Sequence, residues 1–188
     1  MLAKIISEAS GAVVAAVNGV DDILGAVTGT AKNQVVNLLQ GVGEVGSTTV
    51  DTVASVASGV VQGAGSLGGS VVETSANTLS GVVSGVSQVG GDVIEAVTGG
   101  VKGVVSGVAE TGGDIGQAAV GAVSGAVKAA GSVGADTGEA TKAAVGSALD
   151  AAGEVGGNAG EKVREALLNT AALPRDVIES AIKGHDQK

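Results

Sequence analysis

Phenylalanine, tyrosine, tryptophan and cysteine are all missing from this chain, and its 188 residues include a single proline. Without aromatic rings no side chain is large enough to anchor a thick core, so an ordinary enzyme interior is not expected. The lack of cysteine rules out a disulfide framework and a thiolate metal site. Cations are scarce too: ten Lys and Arg stand against nineteen Asp and Glu, for a net charge of −9. No basic residue occurs between Lys32 and Lys102, which makes nucleic acid a poor partner. Charged residues of both signs together make up only 15% of the chain. The mean hydropathy is +0.43, so the composition is not that of a disordered acidic tail.

Long apolar runs are also wanting. Residues Met1 to Val20 contain Lys4 and a short apolar run from Gly11 to Val17, but Glu8 interrupts the pattern and no cleavage site follows. No signal peptide is recognised, and a cytoplasmic place or a membrane or granule surface is favoured. The uncharged stretch from Thr52 to Val72 has five Gly, four Ser and one Leu, too weakly apolar to insert into a bilayer.

What the chain does have is a repeat. Shifted by 22 residues against itself, it superposes the segments that begin at Gly59, Gly81, Gly103 and Gly125. Each unit is marked by a small pair and a capping residue: Gly68-Gly69-Ser70, Gly90-Gly91-Asp92, Gly112-Gly113-Asp114, Gly134-Ala135-Asp136 and Gly156-Gly157-Asn158. Ser70, Asp92, Asp114, Asp136 and Asn158 are residue types preferred as helix N-caps. Three residues after each comes Glu73, Glu95, Gln117, Glu139 or Glu161, which completes a capping box. Thr48 with Asp51 reads as a weaker earlier copy. The glycine before each cap offers the left-handed conformation that closes the preceding helix.

The spacing predicts an all-α fold: helices of about 18 residues, roughly 27 Å long, joined by two-residue Gly-Gly turns. Three regions follow: a degenerate N-terminal helical segment (1–47), the 22-residue repeats (48–169), and a short C-terminal helix with a polar tail (170–188). The alternative is one continuous helix, because 22 is twice 11 and an 11-residue period keeps a straight face. A β-solenoid is disfavoured, since adjacent pairs such as Val82-Val83 and Val104-Val105 break strand alternation.

On a helical wheel the unit from Asp92 gathers Val93, Ile94, Val97, Val101, Val104, Val105 and Val108 into one apolar stripe. Gly99, Gly103 and Gly107 lie nearly opposite. Gly81 with Gly85, and Gly121 with Gly125, repeat this spacing of four in neighbouring units. Small residues at that interval let another backbone come close, the logic of the GxxxG contact. Each interior glycine costs a helix about 1 kcal/mol relative to alanine, so packing must supply the compensation. A helix with one bulky and one small face is expected between two neighbours, as part of a glycine-zipper layer.

Motifs for chemistry fail on context. Gly41 to Gly46 and Gly63 to Gly68 both match GxGxxG, but the second is the first displaced by one repeat. His185, the only histidine, lies in the polar tail and is expected to be solvated, with no partners for a triad or a metal site. No catalytic residue, cofactor, metal or small-molecule substrate is expected. Pro174, Arg175 and Asp176 open the separate terminal helix.

Gly81-Val82-Val83-Ser84-Gly85-Val86 and Gly103-Val104-Val105-Ser106-Gly107-Val108 resemble the Val/Gly-rich 11-residue repeats of the synucleins. That resemblance, over the middle of the chain, implies an amphipathic helix on a lipid surface. The lysine-rich KTKEGV element of the family is missing. Three roles are therefore open. The first is a self-associating structural protein forming a filament, sheath or layered scaffold. The second is a coat on a lipid surface or storage granule, and the third is a membrane-active, pore-forming protein.

Overall fold

The structure is a computed structural model that describes residues 6–8, 23–42, 49–66 and 70–187. Thr48, Gly68, Gly69 and most of the segment from Met1 to Val20 lie outside the described residues, as does the greater part of the first GxGxxG match. Eight long elements follow in order: α1 (Ile23–Val42), α2 (Thr49–Gly65), α3 (Val71–Gln88), α4 (Val93–Glu110), α5 (Ile115–Ser132), α6 (Thr137–Val155), α7 (Ala159–Asn169) and α8 (Arg175–His185). There is no strand among the described residues. Helices α2 to α6 are 17 to 19 residues long, as the spacing of the caps predicts, whereas α7 and α8 have 11 each.

The chain is broken into hairpins rather than drawn out as one continuous helix, and the turns explain why. Gly90, Gly112 and Gly134 take φ of 74°, 73° and 78°, a left-handed conformation closed to most residues with a Cβ. The next residue then donates its N–H back across the helix end: Gly91 to the Val86 carbonyl (2.9 Å), Gly113 to Val108 (3.0 Å) and Ala135 to Ala130 (2.9 Å). This is the Schellman closure, made at the three turns from α3 to α6 and not after α6, where Gly156 donates to Ala152. Residues 89–92, 111–114 and 133–136 make up these connections, so each is longer than the two-residue turn expected.

Reversal at every turn leaves helices two apart running parallel. The most extensive contacts join such pairs, α2 to α4, α1 to α3 and α3 to α5, and weaker ones join neighbours in sequence. The result is two layers, α1, α3, α5 and α7 in one and α2, α4, α6 and α8 in the other. The valine stripe fills the space between them: Val97, Val101, Val104 and Val105 of α4 are fully buried. Val53, Val56 and Val60 of α2, Val82, Val83 and Val86 of α3 and Val123 of α5 are equally buried. The core is thus thin and made of short side chains, as a chain without aromatics requires.

Candidate functional site, a repeated glycine-to-backbone interface

Interface geometry is set first by where each helix begins. Asp92 has extended backbone angles, φ −74° and ψ 120°, and its Oδ1 accepts from the N–H of Ile94 (2.7 Å) and of Glu95 (3.0 Å). Asp114 accepts from Gln117 (3.0 Å), Asp136 from Glu139 (2.8 Å) and Ser70 from Glu73 (3.4 Å). The return half of the capping box is not formed: among the described residues no acidic or amide side chain accepts from a cap's own N–H. Asn158 differs more. It makes no side-chain cap hydrogen bond, because Gly156 and Gly157 both have positive φ and deliver it at φ −100° and ψ 18° instead of an extended conformation. Asp92→Ala should therefore lower stability by about 1 kcal/mol, the usual worth of a cap, and Asn158→Ala should leave the thermal midpoint unchanged in the same circular dichroism melts.

Each glycine stripe lies against the backbone of the helix one layer position earlier. A methyl group placed on Gly103 would sit 2.7 Å from the Ala54 carbonyl carbon and 2.8 Å from its Cα. At Gly107 it would lie 2.9 Å from the Ser58 Cα, and at Gly99 3.1 Å from that of Val50. Gly121 and Gly125 of α5 meet Val72, Ser75 and Ala76 of α3 in the same way, and Gly81 and Gly85 of α3 meet Ala31, Lys32 and Val35 of α1. At Gly81, Gly99, Gly103, Gly121 and Gly125 the nearest atom is a backbone carbonyl oxygen, which occupies the place of the missing Cβ. The glycine Hα points at that oxygen, a weak Cα–H···O contact worth about 0.5–1 kcal/mol. Several such contacts, with the burial around them, offset the helix-propensity cost of the glycines.

Against α1 the atoms nearest Gly81 and Gly85 are the carbonyl oxygens of Thr28 and Lys32, each 53 residues earlier, but between α2 and α4 and between α3 and α5 the contacts share one register. Gly99 faces Val50, Gly103 faces Ala54, Gly107 faces Ser58, Gly121 faces Val72 and Gly125 faces Ala76, always 49 residues apart. The same separation recurs where the Thr28 hydroxyl meets Asn77 (3.4 Å to its carbonyl) and where Ser147 donates to the Thr98 carbonyl (2.7 Å). Two repeats span 44 residues, so parallel helices are staggered by five, about 7.5 Å at 1.5 Å per residue. The ridge residues Val50, Ala54, Ser58, Val72 and Ala76 escape sequence reasoning. They carry no distinctive chemistry, and only the recurring 49-residue interval would have revealed them.

Polar groups lie at the edges. Lys102 pairs with Glu154 across α4 and α6 at 2.8 Å; of the buried hydroxyls, Thr78 donates to the Thr74 carbonyl of its own helix (2.8 Å), whereas that of Ser75 has no hydrogen-bond partner. At the C-terminal end Arg164 makes a two-pronged contact with Asp186 (2.7 and 2.9 Å), and that hydrogen bond holds the Asp186 carboxyl below the usual carboxylate range. His185 is not a freely solvated tail residue. It lies in the last turn of α8, about a quarter exposed, with Nε2 2.9 Å from an Asp150 oxygen.

Among the described residues no group of three or more His, Cys, Asp or Glu is placed to hold a metal ion. Nor is any described helix long and apolar enough to cross a membrane. The chain matches no known family of proteins and no characterised protein in sequence.

Proposed function

We propose that the chain is a non-enzymatic structural protein, a two-layer helical array that associates with further copies of itself into a scaffold. The common register of the α2–α4 and α3–α5 contacts carries this reading. Helices α3, α4 and α5 each offer a glycine face to the helix two before, α6 meets α4 through Ser147, and α2 and α3 offer backbone ridges to the helices two after them. Such an interface is heterologous and directional, and contacts of that kind add units until something stops them. The lipid-coat alternative is less well supported, because the valine stripe that would meet an apolar phase lies between the two layers. Coating would require the layers to part.

Sedimentation velocity and negative-stain electron microscopy of the full chain, over a concentration series without lipid, test the proposal. The expected result is a helical protein whose mass rises with concentration into regular particles or filaments. A helical monomer at every concentration would sink it. Helicity that is gained only on adding neutral-lipid vesicles would replace it with the coat reading.

A further inference from the structure

Resting on that reading, we propose that α8 is a movable stop on the array: it covers the α6 face on which a second copy of the chain stacks, and its undocking opens that face. The ridge positions that α2 presents as Ala54 and Ser58, and α3 as Ala76, fall on α6 at Lys142 and Gly146. This continues the established interface by one more position in the layer. The helix that occupies it is no repeat unit. Because α7 is short, α8 comes back out of register, and His185 stands over Gly146 in place of a glycine.

The fit is correspondingly loose. Over the ridge positions of α2 the glycines of α4 come within 3.0 Å of backbone, whereas over Gly146 the nearest group of α8 is the His185 side chain, 3.8 Å from the Cβ position. A cleft of about 590 Å³ remains between α4, α6 and α8, reached by Lys142, Asp150, Ser180 and His185. Ile178 and Ile182 seat α8 from within, and two polar ties hold its end: His185 to Asp150 and Asp186 to Arg164. Partly exposed ties of this kind hold weakly. The outer face of α8 carries Arg175, Asp176 and Lys183, exposed together with Val177, and the half-buried Glu179, so long charged side chains stand where a backbone ridge would be needed for further growth. Repeat arrays end on polar faces of this sort.

The test compares full-length chains by sedimentation velocity over a concentration series, with circular dichroism as the check on folding. Ile178→Glu with Ile182→Glu forces α8 off α6, and a further variant adds Gly146→Leu. Undocking is expected to lower the concentration at which the chain assembles by at least about tenfold, because apparent affinity scales with the fraction of chains whose face is open. Adding Gly146→Leu should return the threshold to that of the unmodified chain. Arg164→Ala with His185→Ala leaves Ile178 and Ile182 in place and should shift the threshold the same way by a smaller factor, which decides the matter should the glutamates unfold more than α8. A threshold unmoved by either pair overturns the stop while self-association stands. Assembly indifferent to Gly146→Leu also overturns it, since another surface is then in use. No assembly in any form removes this inference and self-association together.

Discussion

Gly103→Leu should destabilise the chain by about 3 kcal/mol or more, at the upper end of what overpacking usually costs. The reason is what stands opposite. At most packed positions an added side chain displaces another side chain, but here the obstacle is the backbone of Ala54, with its carbonyl carbon 2.7 Å from the new Cβ. A helix backbone cannot swing aside, so α2 and α4 must separate along their length. The contrast with alanine makes the test sharp. Propensity alone favours Gly→Ala in a helix by about 1 kcal/mol, and at Gly29, where nothing lies within 4 Å of the Cβ position, that gain should be realised. At Gly103 the same substitution should lower stability. Urea unfolding followed by circular dichroism would measure both. If Gly103→Ala stabilised as much as Gly29→Ala, the close approach of α2 and α4 would be wrong.

Leu79→Ala should cost about 3–4 kcal/mol, within the range for emptying a fully enclosed leucine site. Leu79 is entirely buried, one of the largest such side chains in a core built mostly of valine and alanine. Short, stiff neighbours cannot reach into the void it leaves. Its Cδ1 stands 2.8 Å from the position of a Cβ on Gly100 of the adjacent helix, in the opposite layer. Here the obstacle is the end of a flexible side chain and not backbone. Gly100→Ala should therefore be better tolerated than Gly103→Ala, and more favourable when Leu79 is already alanine, because the new methyl then enters the vacated space. A double-mutant cycle on thermal or urea stability should show coupling of about 1 kcal/mol between the two sites, as expected for residues in contact. Strict additivity would mean that α3 and α4 do not meet there.

Both predictions turn on neighbours that lie far away in the chain, and this marks how much of the interface the sequence made legible. Glycines four apart on one helix face could be read from spacing alone, and so could the caps at Ser70, Asp92, Asp114 and Asp136, because local backbone chemistry governs them. Asn158 shows the limit of that reasoning. It has the residue type and spacing of a cap, but two preceding left-handed glycines deliver it in the wrong conformation. His185 shows another limit. A lone histidine near polar residues reads as solvated until α8 folds back and brings it to Asp150, 35 residues away.

What the sequence by itself determined is the set of helices: where they start, where a glycine in the left-handed conformation ends them, and which side of each is bulky and which is small. These are properties of a few consecutive residues and of a 3.6-residue period. Only the tertiary structure decided that the small side meets the parallel helix two units earlier, that the stagger is five residues, and that the valines close on one another between two layers. The physical reason is that a glycine stripe accepts any backbone that comes close. Which backbone arrives, and at what height, depends on how all the helices share one thin core, and no local pattern encodes that.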